Sequence, residues 1–271
     1  MTANILIFDS GVGGLSILTE IRQRCAGLSL HYLMDNHAFP YGTKADDYLI
    51  RRILDVCQSA VAELQPDILV IACNTASTLA LAELRKQLSI PVVGVVPAIK
   101  VAAMLAPNGH IGLLATPATV HRTYTDLLIQ DFAQGCEVRR MGSSALVQWV
   151  EDFICQAKPP KPEELQAHLH AWLTTPPTLS HVVLGCTHFP LLKPLLAHLW
   201  PQVHWVDSGE AIARRVETLL GQKACALKNT PPAPLYLYWT AHFAPPAGVL
   251  AYLNQLGQAS AQGILAVETS V

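Results

Sequence analysis

The sequence predicts an α/β protein of two similar lobes, each a mostly parallel sheet flanked by helices, with an active site in the cleft between them. Three observations carry this expectation. Short apolar runs alternate with longer segments of helical period, the pattern of buried parallel strands joined by crossover helices. Two of those runs, DILVIACNTAS (67–77) and HVVLGCTH (181–188), stop at a cysteine followed by hydroxyl, amide or imidazole side chains. Fainter echoes accompany the pair: ILIFDSG (5–11) is matched by IGLLATP (111–117), each at a comparable distance ahead of its cysteine, and FDSGVGG (8–14) by WVDSGEA (205–211).

Taken in order, strands are expected at 4–8, 30–34, 67–72, 110–115, 181–185 and 203–206, all short and apolar. The first runs into the glycine-rich turn Asp9-Ser10-Gly11-Val12-Gly13-Gly14, which opens a helix. A helix over 46–64 puts Ile50, Ile53, Leu54, Cys57, Val61 and Leu64 on one face. Similar spacing predicts helices over 79–88, 118–132, 145–156, 163–173, 191–199 and 211–220. Proline clusters at 159–162, 175–177 and 231–234 mark surface loops. With the chain crossing near 95–100 and returning near Asp207, one lobe is expected from 1–96 and 208–271, the other from 97–207.

Composition narrows the class of function. Half the residues (51%) are hydrophobic and 14% charged, enough for generous cores, and a net charge of −2 gives no electrostatic case for nucleic acid or an acidic membrane surface. No apolar run reaches the roughly 18 residues of a membrane-spanning helix, and MTANILIFDSG does not have the layout of a signal peptide. Seven cysteines, an odd number without framework spacing, point to reduced thiols in the cytoplasm. Cys25, Cys57, Cys136, Cys155 and Cys225 fall in helical or strand patterns and read as small core hydrophobes.

Cys73 and Cys186 read differently. Ligands of open parallel sheets sit beyond the carboxyl ends of strands, so two facing lobes would aim both thiols into one cleft. Cys73, at a strand-to-helix turn, meets free N–H groups and the positive end of a helix dipole, which predicts a lowered thiol pKa. Asn74 and Thr75 follow as short polar side chains, and Cys186-Thr187-His188 adds an imidazole suited to proton transfer, with a core or capping histidine as the bland alternative. The C-x-H spacing does not fit zinc. Asp9-Ser10-Gly11 and its glycines approach a dinucleotide fingerprint, with Asp35 where a ribose-binding acid belongs. Ser16 at the third glycine position and the charge of Asp9 argue against it. The glycines are instead expected to let backbone approach a small ligand, with Asp9 free to bind an ammonium or move a proton. Two thiols flanking one substrate carbon can take a proton from one face and deliver another to the opposite face, which is racemisation or epimerisation. A thiol hydrolase needs one cysteine and an oxyanion hole, and a dithiol redox enzyme needs thiols within bonding reach. A small-ligand binding protein with inert core thiols is the non-catalytic alternative.

FDSGVGGLS, PYGTK, ACNTAST, GVVPAIK, EDF, LGCTHFPLL and VDSGEAIA, in this order over 5–212, resemble the cofactor-independent glutamate racemases of bacterial cell-wall synthesis. The resemblance implies interconversion of L- and D-glutamate, supplying the D-isomer for peptidoglycan, with Cys73 and Cys186 as the acid/base pair and Asp9, His188 and Glu151 assisting. It implies substrate contacts at Asp9, Ser10, Tyr41, Gly42, Asn74, Thr75, Thr116, Thr119, Thr187 and His188. It further implies no metal, no cofactor, glutamate as the small-molecule partner, no nucleic-acid or membrane partner, a homodimer and a cytoplasmic location. Lys44, Lys100 and Lys193 stand in turns or helices without the setting of a pyridoxal phosphate Schiff base. A racemase of another acidic amino acid, such as aspartate, is the nearest alternative, although the related aspartate racemases carry a different residue after the second Cys-Thr. Two departures from the family pattern stand out: Ala38-Phe39, where relatives often place an arginine, and the carboxyl-terminal LYLYWTAHFAPP.

Overall fold

The computed structural model describes residues 3–227 and 230–265. Ten strands run in chain order: β1 (Asn4–Asp9), β2 (Ser29–Met34), β3 (Ile68–Ile71), β4 (Val92–Gly94), β5 (His110–Ala115), β6 (Glu137–Gly142), β7 (His181–Leu184), β8 (His204–Val206), β9 (Leu235–Trp239) and β10 (Ala259–Ile264). They form a six-stranded sheet of order β10-β9-β2-β1-β3-β4 and a four-stranded sheet of order β6-β5-β7-β8. Every pairing is parallel. The set β2-β1-β3-β4 repeats in the second sheet as β6-β5-β7-β8, so β3 and β7 hold equivalent places beside their central strands. This is the physical content of the duplicated strand-then-cysteine motif.

Alternation along β1 shows why it reads as one apolar run. Ile5 and Ile7 pack with Leu15, Leu18 and Ile21 of helix Leu15–Arg24 on one face. Leu6 and Phe8 pack with Leu49, Ile53 and Val56 of helix Asp46–Leu64 on the other. A strand covered on both sides reads as a near-continuous apolar run, here Ile5 to Phe8. Helix Asp46–Leu64 has the expected bounds, but its buried face is Leu49, Ile53, Val56, Cys57 and Ala60. Ile50, Leu54, Val61 and Leu64 flank that stripe half-buried. Cys25 and Cys57 are buried, as expected of core thiols, while Cys136 and Cys155 are only half-buried. The side chain of Cys225 lies outside the described residues.

The structure adds four strands to the six expected. β4 is three residues long, β6 (EVRRMG) and β10 (ASAQGI) are polar sheet edges, and β9 alternates buried and half-buried residues. Additional helices lie at Ile99–Leu105, Gln222–Leu227 and Ala247–Leu256. The helix expected over 118–132 is broken into Pro117–Val120 and Thr123–Phe132. At the break Arg122 is extended, its guanidinium donating to the Thr75 carbonyl, the Thr78 hydroxyl and Asp46. The helix expected from 79 begins at Asn74, immediately after Cys73. No helix among the described residues is long and apolar enough to cross a membrane.

Candidate active site

Both thiols leave their sheets in the same way. Ala72, just past β3, donates its N–H to the Phe8 carbonyl at 2.8 Å, and Gly185, just past β7, donates to the Leu114 carbonyl at 2.7 Å. Each bond extends a strand by one rung toward its central neighbour, so the following residue, Cys73 or Cys186, starts at the sheet's carboxyl edge. Both sulfurs are free thiols. Both line one cavity of about 380 Å³, a volume suited to a small ligand. Ser10, Tyr41, Gly42, Asn74, Thr75, Thr116, Thr187 and His188 line it with them. Among the described lining residues there is no lysine or arginine; the donors the wall offers are hydroxyl, amide and backbone N–H groups and the His188 imidazole.

The Cys186 side is a chain of polar contacts. Cys186 Sγ lies 3.6 Å from His188 Nδ1, and His188 Nε2 lies 2.8 Å from Glu151 Oε1. That oxygen also accepts the Val12 N–H at 2.9 Å, which ties the glycine-rich turn to helix Ser144–Gln156. Burial alone would lower the pKa of His188, but hydrogen bonds with Cys186 and Glu151 and the charges of both hold it well above its ordinary value. A cationic imidazole therefore sits beside this sulfur. The Cys73 side has no such partner. The Ser10 hydroxyl stands 4.0 Å away, and Cys73 is the residue immediately before helix Asn74–Gln87. Burial, reinforced by the charge of Asp9, pushes Cys73 up, while the Ala76 N–H pulls the other way. The lowered thiol pKa expected there is thus corrected. A helix terminus contributes up to about 2 kcal/mol, and full burial moves a thiol by more.

Asp9 lies between the two sides yet is completely buried, and it does not line the cavity. It accepts the Gly11 N–H at 2.7 Å and the Thr187 hydroxyl at 3.1 Å. Burial lifts its carboxyl to about 7, against the lowering effect of His188 and the Gly11 N–H. Asp9, expected from sequence to contact substrate, stands behind Thr187, which lines the cavity and donates its hydroxyl to the Asp9 carboxylate. Glu151 likewise reaches the site through His188 rather than from the wall. Thr119 is fully buried and off the wall. Its hydroxyl meets Thr116 Oγ1 at 2.8 Å, so it orients Thr116, which does line the cavity. Tyr41 borders the cavity, but its hydroxyl donates to Asp35 at 2.6 Å and is not offered to a ligand.

The glycines of the first turn make room for side chains rather than for a ligand. A Cβ on Gly11 would stand 2.2 Å from Glu151 Oε1 and 2.9 Å from the Phe39 ring; one on Gly13 would stand 2.5 Å from His188 Nδ1 and 2.6 Å from Thr187 Oγ1. The turn can pass this close to the Cys186 chain only without side chains. Asn74 Oδ1 is buried in the cavity wall without a hydrogen-bond partner among the described residues, which fits it to a donor on a ligand. A buried acceptor of this kind is costly unless a donor fills it. Sequence reasoning missed Phe39, Pro40, Thr43, Ser144, Ala145, Val147 and Gln148, which complete the wall. Gln148 precedes Glu151 by one helical turn, a spacing that could have linked them.

Comparison with known proteins places this geometry among others. The family model for Asp/Glu/Hydantoin racemase matches residues 5–216. A glutamate racemase of Yersinia enterocolitica is 50% identical over 220 residues, covering 80% of this chain and 76% of that protein. The crystal structure of Escherichia coli glutamate racemase, in complex with L-glutamate and the activator UDP-MurNAc-Ala, has a TM-score of 0.89 and 39% identity, covering 99% of this chain and all (100%) of that one. Glutamate racemase from Thermus thermophilus, in complex with beta-chloro-D-alanine, has a TM-score of 0.74 and 28% identity over 98% of this chain and 97% of that one.

Proposed function

The chain belongs to the Asp/Glu/Hydantoin racemase family, and from that premise we propose that it interconverts L- and D-glutamate by two-base proton transfer at the α-carbon, with no cofactor, supplying D-glutamate for peptidoglycan. The observation that carries this reading is the pair of free thiols at equivalent strand ends, facing one small cavity. One sulfur, as thiolate, takes the α-proton from one face of the substrate. The electron pair left on the α-carbon spreads into the α-carboxylate, where neutral donors of the wall can stabilise it. The other sulfur, as thiol, delivers its proton to the opposite face, so the two cysteines end the turnover with their protonation states exchanged. Running the reaction backward exchanges the roles.

In this reading Cys73 and Cys186 are the catalytic acid/base pair. His188, held by Glu151, assists Cys186, and Asp9 assists by helping to keep Cys73 as the thiol and by holding Thr187. Ser10, Gly42, Asn74, Thr75, Thr116, Thr187 and His188 contact glutamate, together with the wall that Tyr41 forms. The unpartnered Asn74 Oδ1 and the lone pairs of Thr187 suit the substrate ammonium. The lobes divide as 1–96 with 208–271 and 97–207. The working unit is a homodimer, for which the exposed apolar Val101, Met104 and Leu105 of helix Ile99–Leu105 offer surface, and six described free cysteines suit a cytoplasmic location.

Circular dichroism of enantiopure glutamate, followed with purified protein and no added cofactor, tests the reading. The signal should decay to zero from either enantiomer, and enantiopure aspartate should decay far more slowly. Faster loss of the aspartate signal would make the substrate another acidic amino acid, and no loss from either would leave a binding protein.

A further inference from the structure

Asp35, considered at first as a ribose-binding acid, has a different occupation. It follows β2 and is completely buried. Three chain segments donate to its carboxylate. Arg52, from helix Asp46–Leu64, donates from its Nη2 to Oδ1 at 2.6 Å and from Nε to Oδ2 at 3.0 Å, with its side chain only 10% exposed. The Tyr41 hydroxyl donates to Oδ2 at 2.6 Å, and the Thr240 hydroxyl, just past β9, donates to Oδ1 at 2.5 Å. Asn36 strengthens the last link by accepting the N–H groups of Thr240 and Ala241 through its Oδ1, at 3.2 and 3.0 Å.

A buried carboxylate with a forked guanidinium and two hydroxyl donors is fully satisfied and directional. Its anionic charge and the burial of the phenol together hold Tyr41 protonated, well above its ordinary pKa, as the donor of the short bond. The Tyr41 ring packs in the same apolar cluster as Phe8 and Cys73. A Cβ on the next residue, Gly42, would stand 3.6 Å from Thr116 Cβ, so the two residues of the cavity wall lie close together. The carboxylate thus anchors Tyr41 in the cavity wall from behind and joins that wall to the end of β9. That strand belongs to the stretch LYLYWTAHF, which departs from the family pattern in the sequence.

We propose that Asp35, with Arg52 and Thr240 as its partners, is a positioning residue acting through Tyr41, and that β9 thereby sets the affinity of the cavity for glutamate. The inference rests on the racemase reading of this cavity. A wall that meets the substrate equally in the ground and transition states supplies uniform binding, so disturbing it moves KM and leaves kcat in place.

Thr240→Val removes one hydroxyl at nearly constant volume, and Thr240→Ser keeps it. Thr240→Val should raise KM for both enantiomers about 5-fold, the worth of one ordinary hydrogen bond, with kcat within about 2-fold of the unaltered protein. Thr240→Ser should restore the original KM. Tyr41→Phe, which cuts the same link from the other side, should raise KM by a similar factor and add little when combined with Thr240→Val. Unchanged KM in Thr240→Val, an equal rise in Thr240→Ser, or a fall in kcat at constant KM would each overturn the proposal. Absence of glutamate turnover by the unaltered protein is a separate result, which would remove the racemase reading beneath it.

Discussion

The two thiols occupy equivalent places in repeated topologies, yet their surroundings differ in kind. Cys186 stands beside a buried imidazole held cationic by Glu151, whereas Cys73 stands beside a hydroxyl, an apolar cluster and, farther off, a buried carboxyl. Duplicated topology explains why both sulfurs reach one cavity. It does not make them chemically equal. The difference teaches that a reaction symmetric in its substrate and product need not run on a symmetric site: over a full cycle each thiol serves once as acid and once as base, but each is prepared for those roles by different neighbours. Burial of Cys73 favours its thiol, whereas Cys186 has an imidazole within 3.6 Å.

The largest expected effect removes the feature the two sides share. Replacing either Cys73 or Cys186 by serine should lower racemisation in both directions by about a thousandfold, because a hydroxyl is far too weak a base at neutral pH. Glutamate binding, measured by calorimetry, should persist in both variants. Retention of most activity in either would end the two-base account.

A smaller effect should expose the asymmetry. His188→Asn takes the cation from Cys186 and leaves Cys73 untouched. At saturating substrate, kcat in the direction in which Cys186 acts as base should fall by about a hundredfold and in the other by about tenfold or less, with KM shifting so that kcat/KM, which is equal in both directions of a racemisation, falls alike. Initial rates from each pure enantiomer measure this. Equal losses in both directions would mean that His188 serves binding alone.

The smallest effect concerns Asp9, which lies between the two sides. Its buried carboxyl titrates near 7 instead of its ordinary 3.8, so between those values the native state holds a proton that the unfolded chain has released. The stability this contributes is fully present below the unfolded pKa and is lost as pH rises through the folded one. Asp9→Asn does not titrate. The Tm of this variant relative to the unaltered protein should therefore climb between about pH 4 and pH 8, as read by thermal melts across that range. A constant difference would show that Asp9 is ionised throughout.

Much of this comparison was legible in the sequence, for reasons that can be named. Strands buried on both faces, such as β1, β3, β5 and β7, are near-continuous apolar runs that stop abruptly, so the residues after them stand out. That is why Cys73, Asn74, Cys186, Thr187 and His188 could be found. Edge strands carry no such signature: β6 contains Arg139 and Arg140, whose guanidiniums reach loop and helix carbonyls, and β10 is small and polar. The Asp35 cluster was illegible because Thr240 is distant in the chain and meets the carboxylate only through sheet pairing of β2 with β9. The protonation preference of Cys73 was misjudged from local structure, since the helix terminus is visible in sequence and the depth of burial is not.

The central claim, that two thiols act from opposite faces of one carbon, is tested most directly by isotope fate in heavy water. The thiol that donates has already exchanged with solvent, while the abstracted proton stays with the other sulfur. Proton NMR of each enantiomer at low conversion should show deuterium at the α-carbon of the product and an undisturbed proton in the remaining substrate, whichever enantiomer is supplied. Extensive early deuteration of the starting enantiomer would mean that one base returns solvent hydrogen to the face it came from, and would contradict the account.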